Sequence, residues 1–83
     1  MTWNYRIIYH TPEQEGQDGW FALHEVYYNK KGKSDSWTEN AISFVCDEYE
    51  GPDGIRKSLA MALADAVRLP VLMIRDGKLV EHK

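Results

Sequence analysis

A single cysteine, Cys46, stands among 83 residues, which excludes an internal disulfide and leaves no thiolate pair for a zinc site. Its acidic neighbours Asp47 and Glu48 disfavour a thiolate, so Cys46 reads as a small buried apolar residue and not as a nucleophile. Long apolar runs are missing too. Nothing approaches the roughly 20 residues that cross a bilayer, and Met1-Thr-Trp-Asn-Tyr-Arg6 has neither the basic start nor the apolar stretch of a secretory signal. The expected home is the cytoplasm, with no membrane partner. Positive charge is in short supply. Lys and Arg number 10 against 13 Asp and Glu, and the net charge of -3 argues against a general nucleic-acid binder, whose footprint is a basic excess on one face. Phosphate loop, dinucleotide fingerprint, nucleophile elbow and metal-helix signature are all absent, so the expectation is no enzyme, no catalytic residue, no metal and no cofactor. Internal repeats, low-complexity tracts and linkers are absent as well, which predicts one domain over 1–83.

What the chain does have is β-formers and aromatics, with 43% apolar and 12% aromatic residues. Trp3 to His10 alternates with period two and predicts a first strand. Thr11 to Gly19 has a proline, two glycines and no aliphatic or aromatic residue, as a solvated loop requires. Trp20 to Tyr28 predicts a second strand and Asn29-Lys-Lys-Gly-Lys33 a hairpin turn, whose lysines read as an ordinary solvated tip. A less regular third strand follows over Ser34 to Val45, with a bulge or break at Glu39-Asn40. Ile55, Leu59, Ala62, Leu63 and Ala66 recur at helical spacing, predicting a helix from Pro52 to Leu69 with Asp53 as a possible N-cap and Pro70 as the stop. The acidic run Asp47 to Asp53 lies where the positive end of the helix dipole favours it. Val71 to Ile74 and Leu79 to Glu81, joined by Asp76-Gly77, predict a closing hairpin. The fold class is α+β: an antiparallel sheet of three to five strands with one helix packed on one face, in the order βββαβ(β).

If residue numbers in the first hairpin sum to about 30, Trp3, Tyr5, Ile7 and Tyr9 share a face with Tyr27, Glu25, Leu23 and Phe21, which has the apolar mass to meet the helix. The opposite face carries Arg6, Ile8, His10, Trp20, His24, Val26 and Tyr28. One reading makes it an aromatic and basic recognition surface, with Arg6, Trp20, His24, Tyr28 and, in second rank, Trp37 as candidate binding residues. The plain alternative is that both faces are covered by the fold or by a homodimer. His24 and Glu25 are adjacent in a strand and point to opposite faces, so they form no acid–base pair. His10 and His24 without a placed carboxylate make a poor metal site.

The blocks Trp3-Asn-Tyr-Arg-Ile7, Leu23-His-Glu-Val-Tyr-Tyr28, Trp37-Thr-Glu-Asn40 and Pro70-Val-Leu72 together resemble a family of small bacterial proteins of unassigned function. The resemblance implies no catalytic residue, cofactor or partner. Ala41-Ile42-Ser43 departs from the valine and proline of the family pattern, and Met73 to Lys83 looks like an extension. A looser likeness, in inferred topology alone, is to HicB-type antitoxins with their βββαβ core. The expected function is a small binding or interaction module with a protein partner, self or another. The alternative is an antitoxin-like or phage-derived inhibitor that uses strand edges and the acidic run against one target protein.

Overall fold

The computed structural model describes residues 2–45 and 48–82, and Cys46 and Asp47 lie outside them, so the expectation for Cys46 does too. Three strands come first: β1 (Thr2–His10), β2 (Trp20–Tyr28) and β3 (Ser34–Trp37). The helix α1 (Pro52–Arg68) follows, and β4 (Leu72–Arg75) and β5 (Lys78–Glu81) close the chain, in the order βββαββ. The strands form one five-stranded sheet in the spatial order β3-β2-β1-β4-β5.

The first hairpin pairs Thr2 with Tyr28 and His10 with Trp20, and every pair between them sums to 30 as the patterning implied. The sheet is nevertheless mixed and not antiparallel throughout. The β4 strand runs parallel to β1, with Ile8 opposite Leu72 and Tyr9 opposite Met73. Turn signals report only sequential hairpins, whereas a crossover through α1 returns the chain to the far edge of β1 in the same direction. The third strand is also shorter than expected. It stops at Trp37, and Glu39 and Asn40 form a bend, although Thr38 N–H still donates to the Glu25 carbonyl at 3.0 Å and Ile42 N–H to that of Leu23 at 2.9 Å. The irregularity in β2–β3 pairing falls between Tyr27 and Tyr28.

At the helix start Gly51, with φ 67°, takes the cap position and Pro52 begins the helix; among the described residues no side chain makes a cap bond. Asp53 is therefore a first-turn residue and not the N-cap; it pairs with Arg56 at 2.7 Å on the surface. Leu69 is extended ahead of Pro70, which ends the helix.

The core lies on the face of β1 and β2 opposite Tyr5. Ile8, Val26 and Leu72 form its centre, and Tyr28, Trp37, Ile74 and Leu79 pack around them. The β4–β5 hairpin coils over this concave side, so Gly77 and Lys78 share a groove with Asn29, Lys33 and Ser34 of the β2–β3 turn. No helix residue belongs to that cluster. Instead α1 meets β1 on the Tyr5 side, where Ala62 is buried. Phe44 and Trp3 cover Tyr5 with ring contacts at 6.1 and 5.1 Å. Because β4 pairs only near Ile8 and Tyr9, the start of β1 keeps a free edge, and Asp65 Oδ2 accepts the Tyr5 N–H there at 3.0 Å. Among the described residues no helix is long and apolar enough to cross a membrane.

Candidate functional site

The loop end of the β1–β2 hairpin gathers most of the chemistry. In the register, His10 is directly opposite Trp20, and their rings stack at 5.2 Å with 10° between planes. His24 lies two same-face positions further along β2, beyond Ala22, and is 1% exposed. Its Nε2 is 2.9 Å from His10 Nε2, and its Nδ1 is 2.9 Å from the Thr38 carbonyl oxygen and 3.3 Å from the Thr38 hydroxyl.

Those partners assign the protons. A carbonyl only accepts, so His24 Nδ1 carries hydrogen; with one proton on each ring, His24 Nε2 accepts and His10 Nε2 donates. The chain of bonds runs from His10 through buried His24 into the backbone where β3 ends. It fixes both rings and leaves His10 Nδ1 as an acceptor. Burial first, and the neighbouring His24 second, hold the His10 pKa below the ordinary histidine value, which favours its neutral form.

Around this pair is a cleft of about 390 Å³, walled by Trp20, Ala22, Glu13 from the loop after β1, and Glu39, Asn40 and Ala41 from the bend after β3. Trp20 is 48% exposed and also borders a smaller hollow with Tyr9, Thr11 and Ile74. The walls therefore present one indole, two carboxylates and an imidazole acceptor. Among the described residues no group of three His, Cys, Asp or Glu is placed to hold a metal ion.

The five residues singled out from sequence do not form one surface. Trp20 and His24 share the cleft. Arg6 and Tyr28 meet elsewhere on the same face: Arg6 donates to the Tyr28 hydroxyl at 2.9 Å and the Pro70 carbonyl at 2.8 Å, and Tyr28 donates to Asn4 Oδ1 at 2.8 Å. The guanidinium thus ties the strand to the chain after α1, while its Nε is buried with no partner among the described residues. Trp37 packs against the core and borders the 600 Å³ groove between the two hairpin turns, whose charges are mixed: Lys33 and Lys78 with Asp35. The face expected to be available for a partner is largely filled by the fold, with Ile8, His24 and Val26 fully buried.

Sequence reasoning placed His10 beside Trp20 but did not select it, nor Glu13; it weighed Trp37 to Asn40 as an exposed recognition loop but selected only Trp37 from it, not Thr38, Glu39 or Asn40. The His10 signal was present in the register. The others sit in loops whose approach to the sheet has no periodicity to reveal it.

No family model matches this chain, and neither a curated protein nor a solved structure matches it significantly. The fold and site define a small α+β protein with a curled mixed sheet and a histidine-backed aromatic cleft.

Proposed function

We propose that this chain is a small non-enzymatic binding module, and that the cleft beside Trp20 receives a cationic side chain of a protein partner. The observation that carries this reading is the half-exposed Trp20 indole, held flat by His10 and flanked by Glu13 and Glu39. An aromatic face attracts a guanidinium or ammonium group, and two carboxylates at the rim supply the opposite charge. Neutral His10 offers Nδ1 as an acceptor in the same space. Because His24 is fixed by its bonds to Thr38 and His10 by its bond to His24, the cleft loses little conformational entropy when it is filled. The net charge of -3 steers a basic partner toward the molecule.

This differs from an aromatic and basic sheet face: Arg6 serves an internal tie and the rim of the cleft is acidic. The test is a titration of the protein with a hexa-arginine peptide and with a hexa-glutamate peptide, followed by the Trp20 indole N–H and the His10 and His24 ring signals in NMR. The reading expects saturable shifts at those three residues with the basic peptide only, and loss of the shifts in Trp20→Ala. Equal response to both peptides, no response, or shifts undiminished in Trp20→Ala would overturn it.

A further inference from the structure

Helix α1 carries more apolar surface than the sheet covers. Ile55, Ser58, Ala62, Asp65 and Ala66 form the stripe that is buried or half-buried. Beside it runs a second line, Leu59, Leu63 and Val67 at i, i+4 and i+8, whose members are 47%, 66% and 78% exposed. A helix serving one core needs one apolar stripe; a second contiguous stripe is what a helix with another neighbour carries.

The whole molecule shows the same surplus. Its accessible surface is 6513 Å², against about 5,100 Å² for a compact monomer of this length. Its radius of gyration is 14.2 Å, against about 12 Å. The extra area, about 1,400 Å² per chain, exceeds the roughly 800 Å² that each partner gives to an interface of standard size.

We propose that the Leu59, Leu63, Val67 flank of α1 is the seam of a homodimer, with two copies pairing their helices antiparallel about a twofold axis beside Leu63. A twofold interface must be its own complement, and this line is: Leu63 meets Leu63 of the second copy, and Leu59 meets its Val67. Ala60 and Ala64 next to the line let the helix axes approach to about 8–10 Å. Antiparallel pairing also sets the two helix dipoles in opposition. The seam lies on α1 and shares no residue with the Trp20 cleft, so the two proposals fail separately.

The test is sedimentation equilibrium on the full chain over a concentration series, for the wild type, Leu63→Glu and Trp20→Ala, with circular dichroism confirming that each is folded. The proposal expects a wild-type dimer, an unchanged dimer in Trp20→Ala, and a dissociation constant raised about thirtyfold or more in Leu63→Glu, the effect of losing a central interface residue. Leu63→Gln, which adds no charge, provides a second variant and is expected to weaken the dimer in the same direction. A wild type that stays monomeric throughout, or a dimer untouched by both substitutions at Leu63, would overturn it.

Discussion

Replacing Asp65 with alanine should unhook the helix from the sheet, because one carboxylate holds the Tyr5 N–H of β1 through Oδ2 at 3.0 Å and the Arg68 guanidinium through Oδ1 at 3.2 Å. The two contacts differ in worth. Arg68 is 66% exposed, so its pair is screened and contributes at most a few tenths of a kcal/mol. The Tyr5 amide is a different case. Among the described residues its strand edge has no other backbone partner there, and Tyr5 itself is 6% exposed, so removing the carboxylate strands a donor away from bulk water. That loss costs about 2 kcal/mol. In a domain of this size the corresponding fall in Tm is about 8–16 °C. Asp65→Asn keeps an acceptor oxygen in place and should cost about 1 kcal/mol or less, whereas Arg68→Ala should stay within about 0.5 kcal/mol of the wild type. Urea unfolding followed by far-ultraviolet circular dichroism measures all three, at one protein concentration because self-association would shift the midpoint. The slope against urea should not change. Were Asp65→Ala to unfold within about 0.5 kcal/mol of the wild type, or no differently from Arg68→Ala, the Tyr5 bond would not be what docks the helix.

The buried histidine gives a second prediction: His24→Ala removes a fully enclosed ring together with its bonds to His10 and Thr38, and urea unfolding should show a loss of about 2–4 kcal/mol. The depressed His10 pKa gives a third. The unfolded chain takes up that proton near about 6.5 and the folded chain only at lower pH, so stability is full above that value and is lost as pH falls through the folded pKa. Thermal melts from pH 8 to 5 should show this decline, and His10→Gln should flatten it. Cationic-peptide affinity should weaken over the same range, because protonated His10 puts a positive charge in the cleft. At Gly19 an added Cβ would meet the Tyr9 ring and come within 2.7 Å of the His10 carbonyl oxygen, so Gly19→Ala should cost about 1–3 kcal/mol in the same unfolding assay. By contrast, truncating the core centre with Ile8→Ala should cost about 2–5 kcal/mol.

Several features were written in short stretches of chain. The register of β1 against β2 follows from the symmetry of two nine-residue runs about a nine-residue polar loop, which pairs residues whose numbers sum to 30. Pro52 and Pro70 bracket the helix because one fits its first turn and the other excludes helical backbone just before it. Asp76 and Gly77, both at positive φ, turn β4 back into β5. Each of these depends on neighbours within a few residues, where sterics and hydrogen bonding act without help from the rest of the molecule.

Tertiary structure decided what those elements were for. Both faces of the first hairpin are apolar, so alternation alone could not say which would be the core; the β4–β5 hairpin settled it by coiling over Ile8 and Val26. The parallel pairing of β1 with β4 spans a connection of more than sixty residues, for which no local signal exists. His24 looked like a surface contact in the alternating pattern and became a buried link only because Thr38 returned to meet its Nδ1. Local sequence therefore specified the strands, the helix and their ends, while the free energy of burying one face, reached only when distant segments met, chose the core and left Trp20 at the mouth of a cleft.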